Sequence, residues 1–266
     1  MKIAFIGGGN MGEAMLSATL DKKLSQPSAI SVSDKDEVRR KYLSQKYGLA
    51  VMSDNRLAAK KGEVIILAIE PQNLAEVMAN LNGQLKPAQL VLSIVAGAKI
   101  DALCLGLEHS RVVRAMPNSP ARIGEGITVW TTTAEVNAQQ KKWAGSILGV
   151  MGKEIYVNDE KYLDMVTAVS GSGPAYFFLF VEALIDAAVD IGLPRDMAAE
   201  LVMQTMLGSG HFLQRSGKTP AELRRLVTSP GGTTAEALLK FQKGEFSDLI
   251  RQAVVAAYNK AKELGN

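Results

Sequence analysis

At 266 residues with 47% hydrophobic side chains, the chain is long enough to bury one large or two medium cores. Thirty basic against 27 acidic residues leave a net charge of +3 with no block of like charges, which argues against a nucleic-acid partner and for a small molecule. A single cysteine, Cys104, excludes an internal disulfide, argues against a zinc cluster, and reads as a small core side chain in a reducing compartment.

Met1 and Lys2 lead straight into a strand pattern, without the apolar region and small-residue cleavage site of a secretory signal, so a cytoplasmic protein is expected. Strand-like runs then follow in order: KIAFIG, AISVSD, VIILAI, LVLSIV, RVVRAM and GITVW. Helical patterns lie between them at 11–20, 36–46 and 72–81, and another at 143–150 precedes a last short strand near 154–157. That alternation predicts a parallel sheet covered by helices, an α/β Rossmann-type domain over 1–157. The remainder, 158–266, carries only helical patterns, at 159–169, 172–191, 195–215, 220–227, 233–243 and 246–263, and is expected to be an all-α domain.

Between KIAFI and the first helix stands Gly7-Gly8-Gly9-Asn10-Met11-Gly12, which contains Gly-x-Gly-x-x-Gly in a strand–turn–helix context. Gly7 suits the tight turn, Gly9 a close approach of the pyrophosphate and Gly12 close helix–sheet packing, with the helix N-terminus facing the negative charge. The second strand run ends in Ser33-Asp34-Lys35. Asp34 is placed to accept hydrogen bonds from the adenosine ribose, favouring NAD, while Lys35 is placed to meet a 2′-phosphate, so NADPH and NADH both remain open. The ends of later strands supply Ala68-Ile69-Glu70-Pro71, Ala96-Gly97 and Asn118, where a nicotinamide is expected.

A proton donor for alcohol chemistry is not evident: His109 and His211 read as surface or packing residues, and no spacing suggests a metal site. A cationic imine, which carries its own proton on nitrogen, needs little beyond positioning and a hydride donor. Two helical-domain motifs offer positioning. One is VSGSGPAY at 169–176, read as a helix start with Ser172 as N-cap and Pro174 in the first turn. The helix it opens, with Glu182, Asp186 and Asp190 on one narrow stripe and apolar side chains elsewhere, reads as a buried helix and a candidate subunit interface. The other is TSPGGTT at 228–234, whose glycines, hydroxyls and missing lysine suit a carboxylate better than a triphosphate.

FIGGGNMGEAM, LAIEPQ, RAMPNSPARIGEG, AVSGSGPAYFF and LVTSPGGTTAEAL together, spread over nearly the whole chain, resemble the pyrroline-5-carboxylate reductases. The resemblance implies reduction of 1-pyrroline-5-carboxylate to L-proline by NADPH or NADH, and a helical domain that forms dimers, often assembled further into decamers. It implies a cofactor site lined by Gly7, Gly8, Gly9, Asn10, Met11, Asn55, Ala68, Ile69, Glu70, Pro71, Ala96, Gly97 and Asn118, and an active site between the cofactor and helical domains of a dimer. It further implies that Ser229 and the amides of Gly232, Thr233 and Thr234 meet the substrate carboxylate, that the Thr234 hydroxyl lies near the ring nitrogen, and that Glu160 is a substrate-site acid. Glu70 departs from the lysine common in the family. Two other readings are compatible with the glycine loop. A β-hydroxyacid dehydrogenase is disfavoured because 171–182 holds no lysine, and a non-catalytic nicotinamide sensor is disfavoured by the intact TSPGGTT.

Overall fold

The computed structural model describes residues 1–265. The chain divides into two compact units: Met1–Ser172 together with the segment from Ala257 onward, and Gly173–Ala256. The last strand ends at Tyr156, where the sequence pattern turns from strands to helices, whereas the division into compact units falls later.

In the first unit the elements run β1 (Ile3–Ile6), α1 (Asn10–Asp21), β2 (Ile30–Ser33), α2 (Glu37–Tyr47), β3 (Ala50–Met52), α3 (Asn55–Ala59), β4 (Val64–Leu67), α4 (Leu74–Leu81), β5 (Leu90–Ser93), α5 (Ile100–Leu107), β6 (Val112–Met116), β7 (Gly126–Thr132), α6 (Ala138–Gly149), β8 (Gly152–Tyr156) and α7 (Lys161–Val166). The strand order is β3-β2-β1-β4-β5-β6-β7-β8. Its first six positions have the 3-2-1-4-5-6 order of a dinucleotide-binding sheet. The all-parallel expectation is corrected at one pairing: β7 runs antiparallel to β6, with Ala115 opposite Trp130, and β8 then pairs parallel to β7.

β1, β2, β4 and β5 are buried along their whole length, as strands covered on both faces must be. Alternate residues serve opposite faces. Ile3 and Phe5 join a cluster with Met15 and Leu16 of α1 and Ile147 and Leu148 of α6, while Ala4 and Ile6 join Val77 of α4 and Leu103 of α5. This double cover leaves the carboxyl ends of β1, β2 and β4 as the place where the chain opens into loops.

The second unit holds α8 (Gly173–Asp190), α9 (Arg195–Ser216), α10 (Pro220–Leu226) and α11 (Thr233–Lys243), and α12 (Phe246–Leu264) begins within it. Two sequence expectations are corrected here. Ser172 has helical dihedrals and is no N-cap; it follows a π-helical turn, Thr167–Gly171, in which the Ser172 N–H reaches the Thr167 carbonyl at 2.7 Å. A wider turn just before Pro174 suits a residue that has no N–H to give the helix ladder. Nor is α8 buried within the chain: Phe177, Phe178 and Leu179 are 66%, 63% and 66% exposed. Phe180, Phe241 and Phe246 do cluster, with ring centroids 5.3 to 6.5 Å apart. The 30-residue helical run Lys161–Asp190 is long and apolar enough to cross a membrane by length and composition.

The tail of α12 belongs to the first unit. There Ala261 is buried, and the Leu264 carbonyl lies so close to Gly97 that a Cβ on Gly97 would stand 2.9 Å from its oxygen.

Candidate active site

The loop after β1 is shaped by what a side chain would strike. Gly7 has φ +95° and a Cβ there would meet the Ala68 carbonyl oxygen at 2.4 Å, so both the backbone conformation and the neighbour demand glycine. Gly9 is different: a Cβ there would meet nothing within 4 Å. Gly9 is also the N-cap of α1 and no side chain caps that helix, so the first N–H groups of α1 remain open for an anion. A backbone left bare beside open space and free donors fits a pyrophosphate.

Between these two, the Gly8 peptide is held at both ends. Its N–H donates to Asp34 Oδ2 at 2.8 Å, and its carbonyl accepts from Arg39 Nε. Arg39 also pairs with Glu13, whose carboxylate further accepts from Lys46 at 2.9 Å, Tyr47 at 2.9 Å and Tyr42 at 3.0 Å. Partial burial pushes the Glu13 carboxyl up, but these four donors outweigh it and hold the group down at about 2. α1 and α2 are thereby tied together around the glycine loop.

The loop opens on a cavity of about 740 Å³, within the usual range of cofactor sites. Of the residues expected at the cofactor, Gly7, Gly9, Asn10, Met11, Asp34, Lys35, Asn55, Ala68, Ile69, Glu70, Pro71 and Ala96 line it. Gly8, Gly97 and Asn118 do not line it. Gly8 is buried and works through its peptide; Gly97, φ +76°, shapes the turn after Ala96; and Asn118 Oδ1 accepts the Ile127 N–H at 3.0 Å, holding the start of β7. Glu70 is exposed and accepts from Gln72 at 2.6 Å.

Among the lining residues that the sequence reading missed are Ser53, Asp54 and Arg56, on either side of Asn55. They follow β3, a three-residue strand too short to show periodicity. Asp54 carried the available signal, an N-cap residue: its carboxylate accepts the Arg56 N–H at 2.9 Å at the start of α3. Asn55 is fixed in turn, accepting from Ser33 Oγ at 2.7 Å.

Glu160 sits in an ionic group with buried Arg114. Arg114 Nη1 reaches Glu160 Oε1 at 2.7 Å and Nη2 reaches Asp164 Oδ1 at 2.8 Å. The same Glu160 oxygen accepts the Ile100 N–H at 2.8 Å, at the first residue of α5. Glu160 keeps 31% side-chain exposure, against 5% for Arg114. One oxygen of the expected substrate-site acid is thus committed to the scaffold.

In the second unit, Gly231 (φ +68°) turns the chain and the Gly232 N–H closes on the Ser229 carbonyl at 3.0 Å. Gly232 then N-caps α11 without any side-chain cap. The N–H groups of Thr233, Thr234 and Ala235 have no hydrogen-bond partner among the described residues, and neither does the Thr234 hydroxyl. Open helix donors, the positive end of the helix dipole and a half-buried hydroxyl together suit a small carboxylate.

The other candidates stay out of the chemistry. His109 is buried with Nε2 2.8 Å from the Gln89 carbonyl, and burial lowers its pKa. Cys104 is partly buried, which raises its thiol pKa and makes it a poor nucleophile. Among the described residues no group of three or more His, Cys, Asp or Glu stands ready for a metal.

A family model for pyrroline-5-carboxylate reductase dimerisation matches residues 160–264, and one described as NADP oxidoreductase, coenzyme F420-dependent, matches residues 2–97. Pyrroline-5-carboxylate reductase of Synechocystis sp. is 40% identical over 100% of this chain and 98% of its own. The chain belongs to the pyrroline-5-carboxylate reductase family. Solved pyrroline-5-carboxylate reductases agree in fold. That of Coxiella burnetii superposes with a TM-score of 0.91 at 34% identity, covering 100% of this chain and 98% of its own. That of Plasmodium falciparum, solved with NADP bound, gives 0.90 at 32% identity with the same coverage. Pyrroline-5-carboxylate reductases are oxidoreductases, and the Rossmann-type sheet followed by helices is their architecture. The dimerisation model spans α8, so the apolar face left open in one chain belongs to the part by which this family self-associates.

Proposed function

We propose that this chain reduces 1-pyrroline-5-carboxylate to L-proline with NADPH or NADH as hydride donor. The observation that carries this reading is the uncapped start of α11, where open N–H groups and the Thr234 hydroxyl stand together without a lysine. The amides of Thr233 and Thr234, with Ser229, receive the substrate carboxylate; the Gly232 N–H, expected among these donors, is instead taken by the Ser229 carbonyl and holds the turn. A reduced nicotinamide bound beside the glycine loop would supply the hydride that reduces the C=N bond to the amine. The cationic imine already carries its proton, so no acid is required at that step. Thr234 orients the ring by accepting from that N–H and serves as the catalytic residue. Glu160 offers its second carboxylate oxygen to the substrate, its first being held by Arg114 and Ile100.

The cavity along the glycine loop takes the dinucleotide, with pyrophosphate at Gly9 and α1 and with Ala68, Ile69, Pro71 and Ala96 toward the nicotinamide. The protein works in the cytoplasm as a dimer through its helical part, and the dimers assemble further, as a decamer. The test is to mix purified protein with 1-pyrroline-5-carboxylate and either reduced cofactor and to follow the reduced-nicotinamide absorbance. Oxidation that depends on the substrate and yields proline is expected. No oxidation with either cofactor overturns the reading.

A further inference from the structure

The adenosine end of the cavity is built from the residues after β2 and β3, and its charges are already spoken for. Asp34 lines the cavity, and its carboxylate is fixed by two backbone donors: Gly8 N–H on Oδ2 at 2.8 Å and Asp36 N–H on Oδ1 at 2.9 Å. Each carboxylate oxygen can accept a second hydrogen bond. The group is therefore a rigid acceptor for the two vicinal hydroxyls of a ribose. A 2′-phosphate has no such donor to offer and brings negative charge against it.

Two cations line the same end, and each already has a partner in the chain. Arg56 is forked onto Asp54, with Nε to Oδ1 at 3.0 Å and Nη2 to Oδ2 at 2.8 Å, and Asp54 is itself anchored by the Arg56 N–H. Lys35 donates to Asn73 Oδ1 at 3.1 Å. Asp34 and Asp54 thus stand against Lys35 and Arg56 among the residues that line this end, and the nearby Arg40 guanidinium is turned to the Asp34 and Lys35 carbonyls.

We propose that this chain is specific for NADH over NADPH and that the Asp34 carboxylate is the discriminating group. The proposal rests on the family reading above and adds the cofactor choice to it. The consequence is a difference of affinities made as much by rejecting the phosphate as by binding the diol.

The test compares kcat/KM for NADH and NADPH with 1-pyrroline-5-carboxylate, in the wild type, Asp34→Asn and Asp34→Ser. The wild type is expected to favour NADH by about tenfold or more, and both variants to shift the NADH/NADPH ratio toward NADPH by about tenfold. Asp34→Asn keeps an acceptor for the Gly8 N–H, so it guards against a loop that no longer folds. Equilibrium binding of NAD⁺ and NADP⁺ to the same proteins gives the preference without turnover. A wild type that favours NADPH or binds NADP⁺ more tightly overturns the proposal, as does an unchanged ratio in Asp34→Asn. A wild type that binds NAD⁺ preferentially but oxidises neither reduced cofactor leaves this proposal standing and sinks the assigned reaction instead.

Discussion

Arg114 and Glu160, 46 residues apart, form a 2.7 Å ion pair that joins β6 to the beginning of α7, and through the Ile100 N–H it also holds the start of α5. The pair thus fixes two stretches beside the cofactor cavity, the turn after Ala96 and the strand end at Met116. Arg114 serves Asp164 as well, so removing it leaves two carboxylates without their partner. Arg114→Leu is expected to lose about 3 kcal/mol of stability, and Glu160→Gln, which keeps an acceptor for Ile100, about 1–2 kcal/mol. Urea unfolding at a fixed protein concentration checks both; a smaller loss in Arg114→Leu than in Glu160→Gln contradicts the arrangement.

The glycine loop separates folding from binding. At Gly7 an alanine is strained by φ +95° and by the Ala68 carbonyl, at a cost on the order of 1–3 kcal/mol for the backbone alone. At Gly9 an alanine meets no protein atom and changes stability by no more than ~1 kcal/mol. It intrudes where the pyrophosphate lies, so cofactor affinity is expected to fall by about tenfold or more. Thermal unfolding and equilibrium binding of both variants, taken together, distinguish the two roles.

Acid should loosen the clamp between α1 and α2. Partial burial alone raises the Glu13 carboxyl, yet Lys46, Arg39, Tyr47 and Tyr42 bring it from an ordinary 4.5 to about 2. A carboxyl depressed on folding contributes stability that is present above the unfolded value and lost as pH falls through the folded one. The wild type is therefore expected to lose stability between pH 4.5 and about 2 more steeply than Glu13→Gln. Parallel slopes in denaturant titrations across that range would show that Glu13 contributes nothing to acid stability.

Thr234→Ala removes the one hydroxyl at the start of α11 assigned to the ring nitrogen. A loss of about 10–100-fold in kcat is expected, with cofactor affinity unchanged and partial recovery in Thr234→Ser. An equal loss in cofactor binding would place Thr234 elsewhere in the site.

Phe178, 63% exposed on α8, tests the helical part as the means of self-association. Phe178→Glu sets a charge into an apolar interface and is expected to give a smaller particle by light scattering. A particle of unchanged mass argues that α8 faces solvent in the assembly.

The long, buried strands were legible because covered strands are apolar throughout, and the helices of the second unit because their apolar period is regular. The antiparallel turn of β7 was not, since antiparallel and parallel neighbours share the same residues when both faces are buried. β3 and the Ser53–Arg56 stretch fell below the length at which a period shows. The cofactor loop and the α11 start announced themselves through local motifs. Arg114 could not, because its partners lie 46 and 50 residues away and nothing in the intervening chain marks the distance. The apolar content of α8 pointed to burial, but sequence alone does not say whether the covering surface is its own chain or a second copy.

Leu264 reaches Gly97 only after the whole of 173–256 has been synthesised. A nascent chain can therefore have every strand of its sheet in place while the turn after Ala96 still lacks the carbonyl packed against it. The nucleotide-binding unit is thus the first to begin and the last to finish, with the helices of the second unit made in between.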